Sequence, residues 1–279
     1  MDAQYDRPMS ASEAFNAPTL RSALIGTRFS GNLHHFPQVD STNTMLLAAA
    51  ANGAPEGTVY LADEQTAGRG RGGHAWHSAA GTSDEPAGLY VSLLAKPALH
   101  LHQALWLSLA TGLAAQAAIR ATSGLSIDLR WPNDLLLESR KLGGILVETA
   151  VEPDTAATLR YAVIGIGINL NQPSFPAELT DIATSLRLAT SRVQSRQTLL
   201  IALLRALDFE LTQLEAQQPD LLERFTAASS WVRGKRVYVP EQGGYSGTTA
   251  GLDERGFLVI DSDDGTRRTV LSGGVREAL

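Results

Sequence analysis

The sequence contains no cysteine. That absence excludes disulfides, thiolate metal centres and cysteine nucleophiles. Positive charge is also short: 23 Lys and Arg against 29 Asp and Glu leave a formal net charge of −6. General nucleic-acid binders are usually basic, so this balance argues against one. No G-x-x-x-x-G-K followed by Ser or Thr occurs, which excludes a P-loop. The opening stretch MDAQYDRPMSASEAFNAPTL has neither a basic start nor an apolar core. It reads as a loose tail rather than a secretory signal. The most apolar run, ALWLSLATGLAAQAAI from Ala104 to Ile119, is broken by Ser108, Thr111 and Gln116. It is short for a span of about 20 residues, so a buried helix is the expectation. A cytoplasmic protein without a membrane segment follows from these absences.

What is present is an ordinary globular composition, 44% hydrophobic and 19% charged over 279 residues. That length fits one large domain, or a medium one with a small one. A short extended piece reaches Asp40, where an Asp-Ser-Thr cluster predicts a helix N-cap. The Ala- and Leu-rich helix that follows stops at Asn52-Gly53. GTVYLADEQ, GLYVSLLA and LRYAVIGIGINLN read as strands. In the apolar helix, Leu101, Leu105, Leu109, Leu113 and Ala117 recur every fourth residue, and the other faces are apolar too, which predicts burial on most sides. Two more helices are expected near 196–217 and 220–229. Beyond Trp231, short strands alternate with Gly- and Asp-rich turns, the pattern of a small β-barrel. The division expected is a tail over 1–27, a main domain over 28–230 and a C-terminal β module over 231–279.

Four glycines and two arginines fill the six residues from Gly68 to Gly73. Gly68, Gly70 and Gly73 formally satisfy G-x-G-x-x-G after a strand. A dinucleotide site also needs a helix opening at the third glycine, and HAWHSAAGTSDEPAG has no helical period. The glycines alone would suit a plain surface turn. Arg69 and Arg71 shift the balance, because two guanidiniums two residues apart repel unless an anion lies between them. Glycines let backbone N–H groups approach such an anion. In RWPNDLLLESRKLGGILVE, Asn133 and Asp134 sit on a tight turn. Lys141 opens an apolar strand, where it is either a functional cation or a lysine laying its stem on apolar surface. Two glycines within the strand GIGIN mark close approach of a ligand or another backbone, or simply tight strand packing.

VDSTN, DEQTAGRGRGGHAWHS, RWPNDLLL, RKLGGILVE and VIGIGINL, in this order, resemble the biotin protein ligase family. The resemblance implies an α+β fold: a mixed sheet packed with helices, of the class II synthetase-like biotin–lipoate ligase type, followed by a small SH3-like β-barrel. It implies a two-step reaction with ATP and biotin as substrates and Mg²⁺ present. Biotin and ATP form biotinyl-5′-adenylate, and a lysine of a biotin carboxyl carrier protein of acetyl-CoA carboxylase then takes the biotin. By position, Ser41, Thr42, Asn43 and Gln65 line the biotin site, and Gly144 lets biotin approach. Arg69, Gly70 and Arg71 close over the carboxylate and phosphate, with Arg71 the main catalytic cation. Trp76 packs on adenine, Lys141 contacts the carboxylate and phosphate, and Asn133 and Asn169 lie at the adenylate. Asp134 is the carboxylate linked to Mg²⁺ or to steering the amine.

Gly72 and His74 stand where the family often has larger or basic residues. SAAGTSDEPAGLY is longer than the usual link and reads as a surface insertion. His74 and His77 have metal-ligand spacing but no third ligand nearby. The short, non-basic N-terminus leaves no room for a three-helix DNA-binding domain, so a monofunctional enzyme without DNA contact is expected. A sheet edge makes a homodimer possible. Lipoate ligation is the neighbouring alternative, and a biotin-responsive binding module the alternative from another class.

Overall fold

β-Branched and aromatic residues pattern most of the strands, and the helices between them carry apolar stripes. In a computed structural model, the described residues are 15–278, apart from 79–80, 83–84, 153–156, 217–219 and 242. The order is α1 (Ala17–Ala23), β1 (Leu33–Val39), α2 (Thr42–Ala51), β2 (Val59–Gln65), β3 (Gly81–Thr82), β4 (Glu85–Pro86), β5 (Gly88–Ala95), α3 (Ala104–Ser123), β6 (Asp128–Arg130), β7 (Asp134–Leu137), β8 (Arg140–Val151) and β9 (Leu159–Asn169). Then come α4 (Leu186–Thr190), α5 (Arg196–Glu215), α6 (Leu221–Ala228), β10 (Arg233–Val239), β11 (Tyr245–Leu252), β12 (Leu258–Ser262), β13 (Arg267–Val270) and β14 (Arg276–Glu277). No helix among the described residues is long and apolar enough to cross a membrane.

Seven strands form one mixed sheet in the order β1-β2-β5-β9-β8-β7-β6. Only β1 and β2 run parallel; the remaining pairs are antiparallel. Side chains alternate between the two faces of a strand. On β9, Ile164, Ile166 and Ile168 join the large core beneath α3 and α5. Val163 faces the other way, into a small second core with Leu46 and Ala50 of α2. Gly165 and Gly167 share that second face. One face of the sheet is thus closed by helices, while α2 covers only part of the other.

Ser41, within the expected cluster, is the N-cap of α2: its hydroxyl accepts from the Thr44 N–H at 3.4 Å. The helix stops at Asn52, followed by Gly53 at φ +88°. α3 is buried along 107–115 and at 118–119. The fourfold series is not its buried face, because Leu101 lies ahead of the helix and is exposed, as is Ala117. Its polar residues are satisfied: Ser108 donates to the Pro132 carbonyl at 2.9 Å and Gln116 to the Ile127 carbonyl at 2.8 Å. Of the expected tail, residues 1–14 lie outside the described set, and 17–23 form α1, which buries Leu20. The expected insertion lies partly outside it; β3 and β4 within it pair with each other.

The C-terminal strands form a five-stranded antiparallel sheet ordered β13-β12-β11-β10-β14. Its end strands, β13 and β14, do not pair, so the expected barrel is an open sheet, consistent with an SH3-like fold. Val237, Val239, Leu258, Ile260 and Val270 belong to the same continuous core as α3 and α5. Two tryptophans pin the module: Trp131 donates to the Gly256 carbonyl at 2.9 Å and Trp106 to the Arg255 carbonyl at 3.0 Å.

Candidate active site

The uncovered part of the sheet face floors a cleft of about 640 Å³. Its position follows from register. Asp134 pairs with Gly144, and Gly144 with Gly167, so beside Asp134 a row without side chains crosses β8 and β9. Each glycine makes room for a side chain. A Cβ on Gly167 would lie 2.6 Å from the Trp76 ring, and one on Gly165 would lie 2.3 Å from Asn43 Oδ1. The glycines of GIGIN are thus approached by side chains, those of Trp76 and Asn43, rather than by another backbone as expected. A Cβ on Gly144 would meet Trp76 at 3.3 Å and Lys141 at 3.5 Å.

Strict alternation would put Lys141 on the core face with Gly143 and Ile145. It does not lie there. The β7–β8 register shifts between Leu135 and Leu136, so that Leu135 pairs with Gly143 but Leu136 with Lys141. Leu142 is the extra residue of a β-bulge, and a bulge re-aims its neighbours. The lysine emerges on the cleft face, with Nζ 2.5 Å from Asp134 Oδ1 and 5.5 Å from the centroid of the Trp76 ring. Arg130, not singled out in the sequence, takes the other oxygen of Asp134: Nη2 donates to Oδ2 at 2.6 Å and Nε at 3.1 Å. Burial pushes the Asp134 carboxyl up, yet Lys141 and Arg130 together hold it below the usual carboxylate range. Asn133 donates to the Ile145 carbonyl at 2.9 Å, which pins the turn before β7 to β8.

The opposite wall is the arginine–glycine loop. It is a compact turn, closed by Gly70 N–H to the His74 carbonyl at 2.7 Å and Trp76 N–H to the Gly68 carbonyl at 2.8 Å. Gly72 and Gly73 have φ of +66° and +80°, a region that favours glycine. Any side chain larger than glycine at position 72 would be strained in this turn. Arg69 does not point at open cleft. It forms a two-pronged ion pair with Glu148, at 2.8 and 3.1 Å. Arg71 reaches across to the C-terminal module and donates to the Gly273 carbonyl. Burial weakens the hold of the Arg71 guanidinium on its proton; Glu241 and Asp134 oppose that. His74 is exposed at the rim, and His77 is exposed beyond it.

A polar network lines the inner end. Gln65 Oε1 accepts from the Thr42 N–H at 2.9 Å, and Gln65 Nε2 donates to Ser78 at 2.9 Å. Ser92 lies 2.8 Å from the Thr42 hydroxyl and donates to Asn43 Oδ1 at 2.7 Å. Asn43 Nδ2 donates to Glu148 at 2.8 Å, which joins this network to Arg69. Ser41 also lines the cleft.

The cleft thus gathers Ser41, Thr42, Asn43, Gln65, Arg69, Gly70, Arg71, Trp76, Asn133, Asp134, Lys141 and Gly144. Asn169 stands behind the wall instead. It is buried, and its amide donates to the Thr184 carbonyl at 3.1 Å and the Lys141 carbonyl at 3.4 Å. Asp134 does not fit a protein-held metal site, because a cation already occupies each of its oxygens. No three His, Cys, Asp or Glu side chains among the described residues are grouped to hold a metal ion.

Sequence reasoning missed Arg130, Ser92, Glu148, Glu241 and Gly273, all at the cleft or bonded into its walls. Glu148 was within reach, because it follows Gly144 at even spacing along one strand. Gly273 was not, since it meets Arg71 across 202 positions.

The biotin/lipoate A/B protein ligase family model matches residues 35–169, and the biotin protein ligase C-terminal domain matches residues 233–275. The biotin–acetyl-CoA-carboxylase ligase of Mycobacterium tuberculosis is 37% identical over 265 residues, covering 92% of each chain. The bifunctional ligase/repressor BirA of Bacillus subtilis is 34% identical over 267 residues, covering 94% of this chain and 78% of that one. Among solved structures, the biotin protein ligase of Aquifex aeolicus in complex with biotin and ATP superposes with a TM-score of 0.74. It is 28% identical and is matched over 89% of this chain and 100% of its own. With one family model matched over 35–169, a second over the C-terminal sheet, and a relative 37% identical across nearly the whole of both chains, this chain belongs to the biotin protein ligase family.

Proposed function

We propose that this chain joins biotin to one lysine of a biotin carboxyl carrier protein of acetyl-CoA carboxylase, using ATP, through biotinyl-5′-adenylate. The observation that carries this reading is the convergence of Arg71 and Lys141 from opposite walls on one cleft. Its volume of about 640 Å³ lies within the usual range of small-molecule sites. In the first step an oxygen of the biotin carboxylate attacks the α-phosphorus of ATP. The bond from that phosphorus to the bridging oxygen breaks, and pyrophosphate leaves with the electron pair. Two anions must meet, so fixed cations lower the barrier. In the second step the neutral lysine amine attacks the acyl carbon, AMP leaves, and the amine proton passes to solvent.

The polar network of Ser41, Thr42, Asn43 and Gln65 offers donors and acceptors to the ureido ring, with Gly144 on the floor. Lys141 and Arg71 face the carboxylate and phosphate beside Gly70. Trp76 and Asn133 lie where the nucleotide would sit, and Asn169 supports the Lys141 backbone from behind. Arg69 must leave Glu148 before it can touch an anion, whereas Arg71 must leave the Gly273 carbonyl. Mg²⁺ would arrive on the ATP phosphates rather than on Asp134. The catalytic unit is 28–230, with the module over 231–279 supplying part of the cleft rim. The enzyme would act in the cytoplasm and without DNA.

The test is exchange of labelled pyrophosphate into ATP in the presence of biotin or of lipoate, followed by transfer to a carrier domain. Exchange with biotin and labelling of one carrier lysine are expected. Exchange with lipoate alone would overturn the reading.

A further inference from the structure

Arg130 lies two strands away from Lys141, with β7 between them. It ends β6, and Asp134 opens β7 across the tight turn, so the two side chains meet on the cleft face. The contact is not a loose surface pair. Both donors go to a single oxygen, Oδ2, which leaves Oδ1 for Lys141 at 2.5 Å. The carboxylate plane is thereby fixed from one side and the ammonium held from the other. The back of the guanidinium lies 5.3 Å from the centroid of the Trp231 ring, at the start of the C-terminal module. Stacking and ion pairing together suit arginine.

Charge makes the arrangement more than a brace. Lys141 and Asp134 alone sum to zero. Their partnership would leave little positive charge for an incoming anion, since a carboxylate with both oxygens free would close on the ammonium. Arg130 brings the cluster to a net charge of +1 and occupies the second oxygen. Arg71 and Glu241 line the same cleft from the loop and the C-terminal module, outside this cluster. The cation that the cluster offers to ligand therefore depends on the third member.

We propose that Arg130 is a positioning residue for adenylation: it orients Asp134, keeps the Lys141 ammonium available to the reacting anions, and ties that geometry to the docked C-terminal module through Trp231. The proposal rests on the reaction proposed above. Displacement of a reacting cation by about 1 Å can cost on the order of 100-fold in rate.

The experiment compares wild type, Arg130→Met and Arg130→Lys by biotin-dependent pyrophosphate exchange, with thermal unfolding of each. Methionine keeps length and packing on Trp231 without charge; lysine keeps the charge. The expected result is a fall in kcat of roughly 10- to 100-fold in Arg130→Met. Arg130→Lys should stay within about threefold of wild type, because the charge is what Asp134 needs. If methionine prevents folding, Arg130→Gln, polar and uncharged, takes its place with the same expected loss. Equal rates in wild type and the uncharged variant, or equal losses in Met and Lys variants of unchanged melting temperature, would overturn the role of Arg130. Absence of exchange in the wild type would instead remove the reaction itself.

Discussion

The two walls of the cleft carry the same kind of charge on different foundations. Lys141 stands on a sheet, aimed by a bulge and held by a carboxylate that a second cation fixes. Arg71 stands on a glycine-rich turn and bonds a single carbonyl of another module. On the proposed reaction, one cation is in place before ligand arrives, and the other would have to change partner when it does. Preorganised charge lowers a barrier without reorganisation at the moment of reaction. A turn with glycines in left-handed conformations can instead move and cover the product. On the proposed reaction, both walls would serve the chemistry, and the loop wall would also retain the product.

The strongest way to break this comparison is Lys141→Met. Loss of the preorganised cation should slow adenylation by roughly 10²- to 10³-fold, as removal of one fixed stabilising group does elsewhere. A change of less than tenfold in pyrophosphate exchange would put the chemistry on the loop instead. Arg71→Ala should cost about 100-fold or more in the same assay and add a second effect that Lys141→Met lacks, faster release of the adenylate to solvent. Chasing preformed labelled adenylate from each variant measures that difference. Equal release rates would erase the division of labour.

Glu148→Gln sharpens the contrast from the loop side. The Arg69–Glu148 pair is partly exposed, so its loss should cost at most about 1 kcal/mol of stability. Freed from Glu148, Arg69 can reach an anion. We expect adenylation to change by less than tenfold in either direction, read as an unfolding midpoint together with exchange kinetics. The smallest effect near neutrality is on pH. The Asp134 carboxyl lies below its unfolded value, so its contribution to stability is complete above about pH 4 and is lost as pH falls through the lower folded value. Urea unfolding of wild type and Asp134→Asn should differ at pH 7 and converge in acid. A gap that persists at the lowest pH would contradict the pairing.

Much of the site was legible because its chemistry demands unusual residue types. Arginines among glycines, Asn133-Asp134 on a turn and Lys141 in an apolar strand each break the pattern around them. Three things were not legible, each for a physical reason. Alternation alone places Lys141 on the core face, and only the bulge at Leu142 corrects it. The partner of Arg69 is set by packing of β8 beside the loop, so two arginines that look equivalent in the sequence differ in the fold. Asn169 lies two residues beyond Gly167, which floors the cleft, but its side chain turns to the Thr184 and Lys141 carbonyls instead. The strands of the C-terminal module were clear from their turns, while their failure to close was not, since closure depends on whether β13 meets β14.

The core that runs without a break from α3 into β10, β12 and β13 sets how the molecule comes apart. Trp131, almost wholly buried, donates to a carbonyl of the C-terminal module from the strand turn that also carries Asn133 and Asp134. Heat or denaturant should therefore meet one cooperative unit rather than two that melt in turn. A chain cut before Arg233 would bare a wide apolar face and behave as a sticky fragment, not as a smaller enzyme.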